Sequence, residues 1–203
     1  IVKSYDHPSG VGNTDWLIYH RQLNGGTNPE QYGLKLNSTG TEGAQSWWNN
    51  TAPTSTAFTV NASQDINGSG GKYVAYLFAH DEQNFGADSD ESVIKCGHYE
   101  GDGGTQEITL GWEPQWVLIK NIDDSSNNWL LMDVMRAAPV EGDTAILEAN
   151  TSDAEAVGSN PTKWYPTSTG FKVKQGGNGS NDPNENNETY IYVAIRRPHK
   201  SAD

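Results

Sequence analysis

The run Thr189-Tyr190-Ile191-Tyr192-Val193-Ala194-Ile195 has β-branched, aromatic or small apolar residues throughout and no charge on either face, as a strand buried on both sides requires. Tyr73-Val74-Ala75-Tyr76-Leu77-Phe78 shows the same pattern, and an Asn/Gly/Ser-rich loop leads into both. The likeness extends well beyond these strands. Trp16 aligns with Trp129, Asn37 with Asn150, Glu42 with Glu155, Pro53-Thr54-Ser55-Thr56 with Pro166-Thr167-Ser168-Thr169, and Phe58 with Phe171, at a constant spacing of 113 residues (129 − 16). Past the loop the spacing becomes 117 (182 − 65) and sets Asp65-Ile66-Asn67 on Asp182-Pro183-Asn184, as a four-residue loop insertion would. The chain is therefore two copies of one small unit, which restricts it to folds that about 100 residues can close.

The second copy supplies the fold class. Strand-like runs at 92–99, 106–110, 115–120, 128–135, 144–149, 170–174 and 189–196 are separated by Gly, Pro, Asn and Asp punctuation. The first copy repeats the order, with strands expected at 16–19, 32–37, 56–60 and 73–78. Ile1-Val2-Lys3 matches Leu118-Ile119-Lys120, so the first copy is expected to lack its opening strands and to be incomplete at its N-terminal end. The acidic stretch 80–91 reads as a linker. The expected architecture is all-β: two tandem antiparallel β-sandwich repeats, jelly-roll or lectin-like in class, over residues 1–84 and 85–203.

Several function classes are disfavoured by bulk properties. A formal net charge of −13 repels a phosphate backbone, and Arg196-Arg197 with Lys200 is too small a basic cluster to reverse that. No apolar run is long enough to cross a bilayer, so membrane insertion is not expected. One cysteine, Cys96, excludes an intrachain disulfide and sits in a strand-like run, where it reads as a small buried hydrophobe.

No catalytic signature stands out: H-E-x-x-H, G-x-S-x-G and G-x-x-x-x-G-K-[ST] are all missing, and the five histidines fall at no equivalent positions in the two copies. No enzyme activity is expected. Carboxylate pairs are numerous, but any acidic chain supplies them. Asp65, Asn67 and Ser69, and again Asp182, Asn184 and Asn186, place oxygen side chains on alternate residues, the manner in which loops wrap Ca²⁺. The twelfth positions are Tyr76 and Val193 rather than the bidentate Glu of an EF-hand. Asx turns that shape the loop are the plainer account, and no cofactor is required. Trp47, Trp48, Trp164 and Tyr165 adjoin polar loops and are the candidates for stacking sugar rings, with core packing as the competing account.

The phrases Trp16-Leu17-Ile18-Tyr19-His20, Trp48-Asn49-Asn50-Thr51-Ala52-Pro53-Thr54-Ser55, Tyr73-Val74-Ala75-Tyr76-Leu77-Phe78-Ala79, Gly111-Trp112-Glu113-Pro114-Gln115-Trp116-Val117-Leu118-Ile119-Lys120 and Tyr190-Ile191-Tyr192-Val193-Ala194-Ile195 resemble the tandem β-rich repeats of tail and tail-fibre proteins of tailed phages, notably those of marine cyanobacteria. The resemblance spans nearly the whole chain and implies a structural, virion-located role in host attachment. It also implies other appendage chains, copies of this one among them, and a host surface glycan as partners. It carries no catalytic residues. A carbohydrate-binding module proper, a glycan-degrading depolymerase and an architectural spacer are the alternatives.

Overall fold

The computed structural model describes residues 1–7, 15–80, 92–136, 145–155, 164–176 and 181–197. The chain divides into two compact units, Ile1–Leu77 and Phe78–Asp203. The boundary read from sequence at 84/85, and the linker over 81–91, lie outside the described residues.

In the first unit, β1 (Val2–Asp6), β2 (Trp16–Ile18), β3 (Tyr32–Lys35), β4 (Gly43–Ala44) and β5 (Lys72–Ala75) form one sheet in the order β4-β3-β2-β1-β5. One helical turn, α1 (Gln64–Asn67), precedes β5, and Ser63 caps it by accepting the Asp65 N–H at 3.3 Å. Val2, Leu17, Trp47, Trp48 and Ile66 make the core, with Tyr19, Val60 and Tyr73 packed against it.

The second unit has two sheets. β6 (Ile94–Glu100), β8 (Pro114–Asn121), β9 (Leu130–Asp133), β10 (Leu147–Glu148) and β13 (Thr189–Arg196) are ordered β10-β9-β8-β13-β6. β7 (Thr105–Thr109), β11 (Trp164–Thr167) and β12 (Gly170–Lys174) are ordered β11-β12-β7. Alternation explains how they close: Tyr190, Tyr192 and Ala194 of β13 and Val117 and Ile119 of β8 meet Ile108, Trp164, Phe171 and Val173 of the smaller sheet in one core. Leu118 and Ile191 are buried on the opposite face, as the unbroken apolar runs require. All ladders among the described residues are antiparallel, and the architecture is an all-β sandwich.

The duplication is kept to the level of register. Val2↔Leu17 between β1 and β2 matches Ile119↔Leu130 between β8 and β9. Leu17↔Lys35 matches Leu130↔Glu148, and Ser4↔Tyr73 matches Asn121↔Tyr190. The side-chain bonds that fix these registers recur as well. Trp16 N–H donates to Asn37 Oδ1 at 2.9 Å, and Trp129 N–H donates to Asn150 Oδ1 at 2.8 Å. Asn37 Nδ2 reaches Asp15 and Asn150 Nδ2 reaches Asn128, at 2.8 and 2.7 Å.

The copies part company at the smaller sheet. The turn after β11 survives in the first unit, where Thr54 N–H donates to Ala57 O at 2.8 Å just as Thr167 pairs with Gly170. The strand expected over 56–60 does not form, because no counterpart of β7 pairs with it among the described residues, and a strand needs a neighbour for its N–H and C=O groups. Phe58 is consequently 38% exposed, whereas its equivalent Phe171 is fully buried. One substitution reinforces the difference. β7 passes so close to Gly170 that a Cβ there would lie 2.0 Å from Ile108 O, and the first copy has Ala57 at that position.

Candidate functional site

Three of the four candidate sugar-stacking aromatics are core residues. Trp164, with none of its surface exposed, packs 6.4 Å from Phe171 inside the sandwich. Trp47 and Trp48 lie in a turn, and both are buried. Trp48 Nε1 donates to Tyr32 O at 3.1 Å and its ring meets Tyr19 edge-on at 5.9 Å. Rings buried to this extent offer no face to a sugar, and the competing account, core packing, holds for these three. Tyr165 is half-buried and remains a candidate.

The Asx-rich loops are held by internal bonds. Asp182 Oδ1 accepts the Asn184 N–H at 2.9 Å and its Oδ2 accepts the Gly176 N–H at 3.0 Å. Asn184 Oδ1 accepts from Asp102 N at 3.1 Å and Gln106 Nε2 at 2.6 Å, while its amide donates to Asp102 Oδ1 and Gly104 O. Both side chains are buried, and they tie the 182–186 loop to the β6–β7 turn. Asn186 is exposed. In the first copy Asp65 sits in α1 beside its cap, while Asn67 and Ser69 are exposed. Among the described residues no group of three or more His, Cys, Asp or Glu is placed to hold a metal ion.

The same loop anchors the deepest polar groups. Tyr99 and Tyr190 stack at 5.0 Å with their rings nearly parallel, and their hydroxyls donate to Pro183 O at 2.6 Å and Asp182 O at 3.1 Å. Burial raises both hydroxyls above the usual tyrosine range. Lys120 is buried on the other side of β8, donating to Asn121 O at 2.6 Å and Asn127 O at 2.9 Å, and burial lowers its ammonium to about 8. Its bonds clamp the 121–127 loop, which is a structural task.

The outward face of β11-β12-β7 brings chemistry together. Tyr165 stands opposite Lys172, and Lys172 opposite Glu107, so an aromatic, a cation and an anion form one cross-strand row. Lys172 Nζ lies 5.8 Å from the Tyr165 ring centre. Glu107 Oε1 accepts from both Thr167 Oγ1 and Thr169 Oγ1 at 2.8 Å, and these bonds, with a smaller contribution from Lys172, hold its carboxyl below the usual glutamate range. Thr109 and Thr105 continue the polar face. This is a flat surface with a ring, an oriented carboxylate and several hydroxyls, suited to hydrogen bonding a polyol over an apolar patch. Sequence reading missed Glu107 and Lys172, although the alternation of Gln106-Glu107-Ile108-Thr109 and Phe171-Lys172-Val173-Lys174 puts them on the outward face. The first copy has Ala52 and Thr59 where the second has Tyr165 and Lys172, so this row belongs to the second unit alone.

No helix among the described residues is long and apolar enough to cross a membrane. A family described as "Domain of unknown function (DUF7483)" matches residues 1–197. No curated protein and no solved structure matches the chain.

Proposed function

The chain belongs to the DUF7483 family, and we propose that it is an adhesion module of a phage virion appendage, two tandem β-rich units of which the second presents a surface to a host-cell glycan. The observation that carries this reading is the Tyr165–Lys172–Glu107 row on an open, polar sheet face. A tyrosine ring there buries the C–H face of a sugar, while Glu107 accepts from its hydroxyls. A net charge of −13 makes a neutral glycan the favoured ligand, since an acidic one is repelled at low salt. The register-identical duplication supports a second reading, an architectural spacer, because repeating one rigid unit adds length without requiring a ligand.

Titration of the full chain with a panel of neutral oligosaccharides, followed by NMR, separates the two. Shifts should centre on Tyr165 and Lys172, and Tyr165→Ala should weaken binding about tenfold, the value of one aromatic stacking contact. No shift with any saccharide, and host-cell adsorption equal in wild type and Tyr165→Ala, would leave the spacer. Release of reducing ends from host polysaccharide would instead indicate a depolymerase.

A further inference from the structure

The loops 121–127 and 181–188 of the second unit run side by side: Ile122 N–H donates to Thr189 O at 2.9 Å, and Thr189 N–H donates to Asp123 Oδ2 at 2.7 Å. Between them they carry the carboxylates of Asp123, Asp124, Asp182, Glu185 and Glu188. Asp182 is taken up by bonds within its loop, whereas Glu185 and Glu188 are half-buried without such bonds. Burial raises the Glu185 carboxyl above the usual glutamate range, and Asp182, Asp124 and Glu188 add repulsion. Burial likewise raises Glu188, with repulsion from Asp123 and Asp124. Among the described residues no cation acts on either carboxyl. The Lys120 ammonium, bonded to Asn121 O and Asn127 O, bears on Asp124 instead.

Two further observations point to a ligand. Asn127 is 2% exposed and its amide faces Glu185, yet neither of its polar atoms closes a hydrogen bond, and Glu188 Oε2 is likewise buried and unpartnered. Buried polar groups are nearly always bonded, so open acceptors beside crowded carboxylates mark the place of a cationic donor. The fold, moreover, does not call for these carboxylates. Gly68 and Gly71 stand in the first copy where the second has Glu185 and Glu188. The loop is held the same way in both copies: Gly68 N–H donates to Tyr73 Oη at 2.8 Å, and Glu185 N–H donates to Tyr190 Oη at 3.0 Å. Crowded like charges that a fold can do without are the mark of a functional site.

We propose that Glu185, Glu188 and the Asn127 amide form a binding site for a guanidinium group, with Asp123 and Asp124 adding to the negative field around it. A calcium ion requires oxygen ligands drawn in to about 2.4 Å. Among the described residues no group of three or more His, Cys, Asp or Glu is placed to supply them. A guanidinium is planar and carries five donors, so it donates to two carboxylates and an amide oxygen spaced around it, where a small ion would need them to converge.

The test follows the Asn127 side-chain amide of the full chain by NMR while a capped Gly-Arg-Gly tripeptide is added at neutral pH and low salt. The amide should shift and saturate with a Kd of about 1 mM, as two charge-assisted hydrogen bonds provide. Gly-citrulline-Gly, in which a neutral urea replaces the guanidinium, should bind at least about tenfold more weakly, and so should Gly-Lys-Gly. Methylguanidinium distinguishes the source of the group: tighter binding of the tripeptide assigns it to an arginine of a polypeptide, and equal binding assigns it to a small guanidino compound. Glu185→Gln combined with Glu188→Gln should weaken the tripeptide at least about tenfold without lowering the melting temperature, because it relieves repulsion. Equal binding of the arginine and citrulline peptides, or no shift with either, would overturn the proposal. A double variant less stable than wild type would also overturn it, since the carboxylates would then be holding the two loops together. So would the same shifts produced by millimolar Ca²⁺, which would make the site a metal site.

Discussion

Phe58 and Phe171 occupy the same place in the duplicated sequence and opposite environments in the fold, and truncating each to alanine measures what the smaller sheet contributes. Phe171 is fully buried, with Tyr192 edge-on at 5.4 Å, Trp164 at 6.4 Å and Tyr99 at 6.5 Å. Phe171→Ala removes the transfer free energy of the ring, opens a cavity in the core, and loses three aromatic contacts, for a cost of about 3–5 kcal/mol. In a unit of this size that lowers the melting temperature by about 10–20 °C. Phe58 is 38% exposed beside a turn held by backbone groups and the Thr54 hydroxyl, none of them part of the ring, so Phe58→Ala should cost less than about 1 kcal/mol. Urea unfolding of both variants of the full chain, with hydrogen exchange to assign each transition to its unit, provides the comparison. Equal costs at the two positions would refute the claim that the smaller sheet belongs to the second unit alone.

Removing the matched register bonds with Asn37→Ala or Asn150→Ala should destabilise the respective units by a similar amount, about 1–2 kcal/mol each, read by unit-resolved hydrogen exchange. Asn184→Ala should cost about 2–4 kcal/mol in urea unfolding because it strands Asp102 and Gln106, whereas Asn67→Ala on the exposed turn stays within about 0.5 kcal/mol; a melting temperature that rises with Ca²⁺ would contradict the Asx-turn reading of both loops. Lys120 has a folded-state pKa lowered to about 8 by burial, so between there and its unfolded value the unfolded chain binds the extra proton and stability rises with pH. The stability of wild type relative to Lys120→Met should therefore grow by about 2 kcal/mol from pH 8 to 9.5, while the raised tyrosines cancel in the comparison; a flat difference would mean that the ammonium is not desolvated.

How far the sequence could be read depended on the range of the interaction that decided each feature. Strand identity and the duplication were legible because they rest on local periodicity and a fixed spacing, and both survive as matched registers. The tryptophan pair stood between sugar stacking and core packing, because its burial depends on a turn in which Asn49 and Asn50 adopt positive φ, at 53° and 48°, which local composition does not fix. The bonds of Asn184 go to residues 82 and 78 positions away, beyond any local spacing rule, so the alternate oxygens suggested Asx turns, or less plainly a cation loop, without revealing these partners. The expected strand at 56–60 had the right residues and lacked a neighbour, which propensity cannot report. The Tyr165–Lys172–Glu107 row crosses three strands, and only its Tyr165 was distinctive enough in type to be singled out beforehand.

Neighbouring homologous units are prone to misfold by trading strands while both are incomplete. The segment that carries β6 and β7 is the element most exposed to that error, since the first unit repeats the sheet to which β6 belongs. Laid on the first unit in the register that β7 takes on β12, the same segment would drive Ile108 O to within 2.0 Å of the position where Ala57 carries a methyl and Gly170 carries none. Backbone cannot yield there as the tip of a side chain would. At that position the segment meets a methyl group in the first copy and none in the second, so it fits only one of the two places that the duplication offers.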